Sequence, residues 1–566
     1  MTETTNKKYL LAISIGPVQG FIAAARKTRD LWFGSHILSE IAKAAAREIV
    51  NTGGELIFPG VSNNADTTVL APNTPLAVAN VILAIVNVTG TNDENKRSPI
   101  HSYVDKIETA TKKRWLEFVE QAIKKIEEIG LNEKLNKNLW DQQVGDFIEF
   151  YAAWTSFDGV HDDYSKKRQH VMRLLAGRKK MRDFKQSSGV ERIEKSSLDG
   201  ARETVFPKEL PDEFYKPSYL RKGEYLDAIS AVKRFAAIDA LKSLTSNNSF
   251  QSTLEIAVAP LGNKSVDIVK KHKEKINDDG NEIDIDDPAL KELAEKSPYF
   301  AIVHADGDRM GRVISALNAP EKHCQLSKSL REFSDNVKNI IKKYKGECVY
   351  SGGDDMLGFL PLHNALECTR ELHDDFADKL KNYKCYNVSL SVGLVIVHYH
   401  EMLDVLLKFA RNAEKTAKRP NNPKQKDVAR FGDRNGLAIE VYSRSGAPIR
   451  IREQWDNQNS SEDAIDKRIQ TWSKEFAQQK ISSKFPYDLR ELGKLYNDNF
   501  DSKLQPGAIQ SAVLQMIRHK DIASDKLKDW VVNNVDSAGA LKFLSGEMLI
   551  AQFFGRAKKL IGTETK

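Results

Sequence analysis

Short apolar runs alternate with stretches of helical periodicity in the second half of this chain. Strand-like runs occupy residues 299–305, 347–350, 356–360 and 388–397. Between and after them, apolar residues recur at helical spacing over 326–341, 366–380 and about 401–418. The order strand–helix–strand–strand–helix–strand is that of the ferredoxin-like split βαβ motif. The pattern therefore predicts a domain of this topology over residues 298–445.

Acidic residues stand where two of these strands meet turns. The turn between the second and third runs reads Ser-Gly-Gly-Asp-Asp at residues 351–355, and its glycines permit the positive φ angles of a two-residue hairpin. The first run ends in Asp306-Gly307-Asp308. In the split βαβ topology the first strand lies beside the central hairpin, so we expect Asp306 to converge with Asp354 and Asp355. Adjacent carboxylates repel each other unless cations bind between them.

This acidic cluster predicts a site for two divalent ions, Mg²⁺ or Mn²⁺, that serves phosphoryl or nucleotidyl transfer. A solvated acidic hairpin is the alternative. We expect Asp306 and Asp354 to bind metal directly, with the carbonyl of Gly307 as a further ligand, and Asp355 to complete the second ion's site. These three aspartates are the predicted catalytic residues. Asp308 is either a further ligand or a cap on the helix that begins near Met310.

Several residues around the cluster are expected to bind the nucleotide, together with Gly307. Gly352 and Gly353 would let it approach the backbone closely, and the small Ser351 could touch the base. Lys418, at the end of the last helix, could neutralise a triphosphate as a point charge. A solvated surface lysine is the alternative interpretation of Lys418.

The amino-terminal part carries a second signature. A strand-like run at residues 9–15 is followed by Gly-Pro-Val-Gln-Gly-Phe-Ile at 16–22 and by Ala-Arg-Lys-Thr-Arg-Asp-Leu-Trp-Phe-Gly-Ser at 25–35. With segments 56–59, 150–154 and 226–235 and the Gly-Gly-Asp-Asp turn, this opening resembles the large polymerase/cyclase subunit of type III CRISPR effector complexes, particularly the III-B (Cmr) branch. The resemblance spans roughly residues 9–420.

The resemblance implies an α+β fold: two ferredoxin-like palm (nucleotidyl cyclase-like) domains with helical insertions and a C-terminal helical bundle. A partial internal repeat agrees with this, with residues 54–58 and 76–86 as central strands of the first palm. The expected divisions are a first palm in 1–135 with part of 225–265, a helical thumb-like region in 136–224, a charged linker in 266–297, the second palm in 298–445 and the helical bundle in 446–566.

The first palm is expected to carry no metal, because no carboxylate in its first strand matches Asp306. It would support the second palm or bind nucleotide. For Arg26, Arg29 and Ser35 two interpretations stay open. They contact a second nucleotide or a partner subunit, or they belong to a solvated basic helix face.

The activity implied by the resemblance is synthesis of cyclic oligoadenylate from ATP, switched on when a guide-RNA complex binds its target RNA. Implied partners are crRNA, target RNA, the subunit that binds the crRNA handle and the small helical subunit. Some relatives join ATP to S-adenosylmethionine, and the palm motifs do not separate the two products. A purely architectural subunit is a third possibility. A stand-alone diguanylate cyclase fits less well, because its motif ends in Glu-Phe whereas this chain has Asp355-Met356.

The sequence departs from the family pattern in two places. Many members begin with a His-Asp phosphohydrolase domain that cuts single-stranded DNA; only eight residues precede the first strand here, so we expect no such nuclease. The pairs His161-Asp162 and His373-Asp374 are expected at the surface. Where the family often has a cysteine-rich knuckle, residues 196–200 contain no cysteine, and the chain's four cysteines form no CxxC pair. We therefore expect no structural zinc.

Composition and charge indicate a cellular compartment and a basic segment that could bind RNA. The 566 residues include four cysteines, which favours a reducing, cytoplasmic setting. The longest apolar stretch, 76–88, is too short to span a bilayer, and no membrane partner is expected. The net charge of +7 is a weak nucleic-acid signal by itself, but residues 166–185 contain nine Lys or Arg against one acid. That segment could bind RNA phosphates or be a solvated helix face.

Overall fold

The computed structural model describes most of the chain, in residues 4–61, 67–74, 76–91, 98–159, 161–181, 193–215, 219–244, 250–275, 287–418, 433–444, 446–455, 464–496 and 507–561. Elements are numbered in chain order. The first part contains β1 (Thr4–Gly16), α1 (Gln19–Ala23), α2 (Thr28–Asn51), β2 (Glu55–Phe58), β3 (Val81–Thr91), α3 (Pro99–Glu128), α4 (Lys137–Gly145) and β4 (Glu149–Ser156).

These strands build an antiparallel sheet in the order β2-β3-β1-β4. This is the ferredoxin-like strand order, and it confirms the first predicted palm. Two details differ from the sequence prediction. Strand β3 begins at Val81 rather than at residue 76, and β4 lies in the region 136–224, which was assigned to a helical insertion. Its residues Tyr151 and Ala153 are buried because they face helix α5 (Tyr164–Lys180) across the sheet.

The helices α6 (Ala228–Leu244), α7 (Thr253–Val258), α8 (Asn263–Lys275) and α9 (Pro288–Lys296) lead from the first palm to the second. Of these, α8 and α9 lie largely within residues 266–297, where the sequence predicts a charged linker. Val269, Leu290 and Ala294 are buried together with Leu254 and Val258 of α7. The described part of residues 266–297 is therefore folded against its neighbours rather than extended, because its few apolar residues fall on the inner faces of α8 and α9.

The second palm repeats the topology. It contains β5 (Tyr299–Asp308), α10 (Met310–Ala316), α11 (Pro320–Lys343), β6 (Glu347–Gly352), β7 (Asp355–Leu360), α12 (Ala365–Lys379), β8 (Ser389–His398), α13 (Leu403–Lys418), β9 (Gly436–Tyr442) and β10 (Ile449–Gln454). The sheet order is β10-β9-β8-β5-β7-β6, so β8-β5-β7-β6 matches the order of the first palm. Strand β10 pairs with β9 beyond residue 445, so the sheet continues into the region assigned to the helical bundle.

The carboxy-terminal helices are α14 (Ile465–Ala477), α15 (Phe485–Leu495), α16 (Ala508–His519), α17 (Asp525–Asn534) and α18 (Ala538–Ile561). They share one apolar cluster with the second palm, which includes Trp455, Trp472 and Phe554. Arg468 is buried there between the carboxylates of Glu547 and Glu453. None of the described helices has the length and apolar character needed to cross a membrane.

The two palms pack against each other through apolar contacts. Leu31 of α2 and Ala257 of α7 join one cluster with Ile302 and Leu357 of the second palm. At a second contact, the backbone N–H of Gly60 donates to Ser327 Oγ on α11 at 2.6 Å. A Cβ at Gly60 would lie 2.6 Å from the carbonyl oxygen of Cys324, so only glycine permits this approach.

One expected surface residue is buried instead. The His373 ring is 6% exposed and packs on Trp455 with ring centroids 4.7 Å apart. Its nitrogens reach Asp374 Oδ1 at 3.1 Å and Asn435 Oδ1 at 2.9 Å. His373 thus joins α12 to the start of β9, and its surface prediction was wrong, whereas His161 is exposed as expected.

Candidate active site

The acidic hairpin forms as predicted. Strand β6 ends at Gly352, which pairs with Asp355 at the start of β7. Gly353 and Asp354 form the turn between them, and Gly353 has a φ of +68°, which an L residue rarely adopts. A positive φ at the first central position of a two-residue turn is typical of a type II′ hairpin.

Strand β5 brings Asp306 beside this hairpin. Asp306 pairs with Asp355 on one side and with Ser391 of β8 on the other. Directly opposed residues of antiparallel strands project from the same face, so the carboxylates of Asp306 and Asp355 are neighbours. The convergence predicted from the split βαβ topology is therefore present.

Gly307 holds the turn against this strand. Its N–H donates to the carbonyl oxygen of Asp354 at 3.0 Å. A Cβ at position 307 would lie 2.8 Å from the Asp354 Cβ and 3.0 Å from its Oδ2. The absent side chain thus lets the Asp354 carboxyl settle over the strand beside Asp306.

Lys418 closes the site from helix α13. Its ammonium forms an ion pair with Asp306 Oδ2 and lies 3.0 Å from Glu414 Oε1 on the same helix. The helix can approach the sheet because Gly393 of β8 has no side chain; a Cβ there would lie 2.3 Å from the backbone nitrogen of Glu414. Lys418 is therefore part of the acidic cluster and not a solvated surface lysine.

The crowding of carboxyls changes their proton affinities. Burial, together with the charge of Asp306, raises the pKa of Asp354 from 3.8 to about 7. The same two causes raise the pKa of Asp355 to about 7. Burial also raises the pKa of Glu414. Burial alone would lower the pKa of Lys418, but its hydrogen bond and attraction to Asp306 outweigh this and raise it. Binding of a cation at such a site is favourable, because it reduces the repulsion between the carboxylates.

The donor set fits a divalent ion bound jointly with a substrate. Within the described ranges, no group of three or more His, Cys, Asp or Glu side chains is arranged to hold a metal ion by itself. Mg²⁺ ordinarily takes one or two carboxylates and completes its shell with water and substrate phosphates. Asp306 and Asp354 are close enough to share a hydrogen bond, which suits one shared ion. Asp355 lies directly opposite Asp306 in the pairing of β7 with β5.

Asp308 has a structural role that the sequence did not indicate. Asp308 is the last residue of strand β5. Its fully buried carboxylate accepts hydrogen bonds from Ser389 and Ser391, both at 2.7 Å, and from the N–H of Asn435 at 2.9 Å. The residue that precedes α10 is Arg309, which makes no side-chain cap. The predicted helix cap was therefore wrong, and Asp308 instead anchors the start of β9 to β5 and β8.

Ser351 faces helix α11. Its side chain is buried, and its hydroxyl lies 2.9 Å from the Ser334 carbonyl and 3.0 Å from Ser334 Oγ in helix α11. This finding corrects the expected contact with the base, because successive strand residues point to opposite faces. By contrast, a Cβ at Gly352 or Gly353 would meet nothing within 4 Å. The backbone of these two glycines is therefore uncrowded on the side where a Cβ would project.

Sequence reasoning missed two residues that contact the site. Tyr350 Oη donates to Asp355, at 3.1 Å from Oδ1 and 3.3 Å from Oδ2. His304 Nε2 lies 2.9 Å from that hydroxyl oxygen. Burial, with Arg411 and Lys418 nearby, lowers the pKa of His304 to about 3, so the ring is neutral. Tyr350 could have been predicted from the register of the hairpin, because this register makes Tyr350 a diagonal neighbour of Asp355.

In the first palm, the described strand β1 has a serine at the position that corresponds to Asp306. By register, Ser14 of β1 pairs with Val81 at the start of β3, and so stands where the second palm has Asp306. Arg29 does not lie on a solvated basic face: it is 3.4 Å from Asp30, which in turn pairs with the fully buried Arg234. Arg26 is exposed and Ser35 half-buried.

Two family models match the chain. The model for "Cas10/Cmr2, second palm domain" matches residues 299–428, which contain the acidic hairpin. The model for "CRISPR-associated protein Cmr2, N-terminal" matches residues 10–120, which contain most of the first palm. The two matches therefore follow the internal repeat seen in the fold.

A curated relative is the CRISPR system Cmr subunit Cmr2 of Pyrococcus furiosus, which is 24% identical over 77% of this chain. The chain spans 62% of that relative's length. Among solved structures, the type III-B Cmr-beta complex bound to cognate target RNA contains a chain with a TM-score of 0.60 and 14% identity, covering 92% of this chain and 79% of that one. The Csm1–Csm4 cassette in complex with cA4 gives a TM-score of 0.53 at 12% identity, covering 97% and 70%. These likenesses support the fold.

Proposed function

Because the chain belongs to the Cas10/Cmr2 family of type III-B CRISPR effector subunits, we propose that its second palm joins ATP molecules into cyclic oligoadenylate. The observation that carries this proposal is the convergence of Asp306, Asp354 and Lys418 beside open space over Gly352 and Gly353. Two carboxylates, a cation and an uncrowded backbone are the requirements for holding a nucleoside triphosphate with its metal ions.

The proposed reaction forms one 3′–5′ linkage at a time. The 3′-oxygen of one ATP bonds to the α-phosphorus of the next, the bond from that phosphorus to the bridging oxygen breaks, and pyrophosphate leaves. The hydroxyl proton passes to solvent. The last 3′-oxygen closes the ring by bonding to the α-phosphorus of the first nucleotide, whose bond to the bridging oxygen breaks and whose pyrophosphate leaves.

The side chains of the site divide the work. Asp306 and Asp354 would hold one ion with the Gly307 carbonyl, and Asp355 would hold the second. When bound, Mg²⁺ or Mn²⁺ lowers the pKa of the attacking hydroxyl and stabilises charge on the attacking and leaving oxygens. Lys418 neutralises the triphosphate, since a lysine ammonium is a mobile point charge that can exchange one anionic partner for another.

The proposal includes the setting in which the reaction is switched on. A crRNA-guided complex, with the crRNA-handle-binding subunit and the small helical subunit, would place this chain beside bound target RNA in the cytoplasm. A Cmr-beta structure with cognate target RNA and a Csm1–Csm4 structure with cA4 share this fold, which supports both the partners and the product class.

The test is product formation by the assembled complex. Guide, matching target RNA, Mg²⁺ and labelled ATP are incubated with and without S-adenosylmethionine, and products are identified by mass spectrometry. Cyclic adenylates from ATP alone, abolished in the Asp354→Ala/Asp355→Ala variant but retained in the Asp378→Ala variant, would support the proposal. Asp378 is an exposed acid of the same palm.

Other outcomes would replace the proposal. A product that forms only with S-adenosylmethionine would keep the site and change the co-substrate. No product from a complex shown to hold its target RNA would favour an architectural subunit. Full activity of the double variant would falsify the assignment of the aspartates.

A further inference from the structure

The carboxylate of Asp355 accepts a hydrogen bond from a neighbouring residue of the hairpin. Tyr350 Oη lies within 3.3 Å of both Asp355 oxygens, and a phenol has only one proton to donate. Because that proton points at the carboxylate, the phenol oxygen is left to accept a hydrogen bond. His304 Nε2 lies 2.9 Å from this oxygen, and the tautomer with its proton on Nε2 is the donor that this position requires. The result is a chain of two hydrogen bonds that ends on Asp355.

The chain of hydrogen bonds is fixed by the sheet. The two-residue turn pairs Gly352 with Asp355 and Leu357 with Tyr350, so Tyr350 projects on the same face as Asp355. His304 of β5 pairs with Leu357 from the other side. The register of the hairpin and its pairing with β5 therefore place both residues on the face that carries Asp355.

The same two residues are enclosed by the packing between the palms. His304 is 8% exposed. The Tyr350 ring lies against the apolar cluster that Leu31 of the first palm shares with Leu357. In this buried position His304 keeps Nε2 within hydrogen-bond distance of Tyr350 Oη.

We propose that Tyr350 is a positioning residue for Asp355, oriented by His304, and that this pair sets how strongly the hairpin binds a divalent ion. The inference rests on the proposed function of the aspartates. A hydrogen-bonded partner behind a ligating carboxylate typically changes metal affinity on the order of 10- to 100-fold when it is removed.

The test measures Mn²⁺ binding to the full chain by electron paramagnetic resonance, without nucleotide and without turnover. Tyr350→Phe should weaken binding at least about tenfold. Tyr344→Phe is the matched control, because Tyr344 also donates to a carboxylate, Glu371 at 2.8 Å, but away from the hairpin. It should bind Mn²⁺ like the unmodified chain.

A second pair of variants separates positioning from packing. His304→Gln keeps an N–H donor near the place of Nε2 and should retain most Mn²⁺ affinity, whereas His304→Leu should lose it to the extent that Tyr350→Phe does. Equal Mn²⁺ affinity of Tyr350→Phe, Tyr344→Phe and the unmodified chain would overturn the inference while the unmodified chain still binds the ion. If the unmodified chain binds no more Mn²⁺ than Asp354→Asn, the metal site itself is refuted, and the inference with it.

Discussion

The ammonium of Lys418 forms an ion pair with the carboxylate of Asp306, across the gap between the end of helix α13 and strand β5. Asp306 is also the residue whose charge raises the proton affinity of Asp354 and Asp355. Lys418 therefore supplies, without ligand, part of the positive charge that this cluster needs. It is the one cation that the structure, over its described residues, pairs with Asp306, and a triphosphate would compete for it.

Replacing Lys418 tests this role. Lys418→Met should lower product formation on the order of 100-fold, because removal of a preorganised charge at the reacting phosphate has an effect of that size. Lys415→Met is the matched control: Lys415 is exposed on the same helix and should leave the rate within about twofold of the unmodified complex. Rates are measured with labelled ATP under initial-rate conditions. Equal loss in both variants would point to helix stability instead.

The raised pKa values predict how the metal-free chain responds to pH. In the unfolded chain the carboxyl of Asp354 titrates near 3.8, and in the folded chain near 7. Between these values the folded state binds more protons, so its stability falls as pH rises from about 4 to 7 and levels off above. Thermal unfolding with a chelator present should show this decline.

Asp354→Asn isolates the contribution of one carboxyl. The variant should show a flatter decline and a higher midpoint than the unmodified chain at pH 8, because one repelling charge has been removed. Adding Mg²⁺ should raise the midpoint of the unmodified chain by mass action and that of the variant less. A steeper decline in the variant would contradict the predicted sign.

Gly307 and Gly311 make a matched pair for the packing of the turn. Gly307→Ala places a methyl group 2.8 Å from Asp354 Cβ, so we expect a loss of about 1–3 kcal/mol in the free energy of unfolding and nearly complete loss of activity. Gly311 in helix α10 has open space at its Cβ, and Gly311→Ala should leave stability unchanged or raise it by up to about 1 kcal/mol. Denaturant unfolding and product assays check both.

Gly352→Ala should separate binding from folding. Its Cβ would project into open space, so the free energy of unfolding should change by less than about 1 kcal/mol. If nucleotide approaches this backbone, the added methyl group should raise the KM for ATP several-fold with a smaller effect on kcat. An unchanged KM would place the nucleotide elsewhere on the hairpin.

The sequence predicted those parts of the site that depend on connectivity. The split βαβ order determines that β5 neighbours the hairpin, and this alone brings Asp306 to Asp355. It could not predict features that depend on which face of the sheet is covered. Ser351 turned out to face helix α11, and Asp308 binds Asn435, a residue remote in sequence.

The extent of the second palm's sheet was also hard to predict, because it depends on tertiary packing. Strand β10 begins Ile-Arg-Ile-Arg, in the region that the sequence assigns to the helical bundle. In the fold Arg452 is buried and donates to the carbonyl of Ala417, and Arg450 pairs with Glu440 of β9. These partners come from α13 and β9, so only the tertiary packing shows that the segment belongs to the palm.

Helix α5 carries the last prediction. The basic segment expected from sequence is in part a helix that buries Val171 and Leu175 and exposes Lys166, Arg173, Lys179 and Lys180. A lysine that neutralises an RNA phosphate releases a counterion, so each such lysine adds about 0.7 to the slope of log binding constant against log salt for single-stranded RNA. Lys179→Gln/Lys180→Gln should therefore reduce the magnitude of that slope by about 1.4 if both residues bind phosphates, while Lys124→Gln/Lys134→Gln, a change of equal charge on the first palm, should leave it unchanged. Identical slopes for both variants would show that α5 is a solvated face.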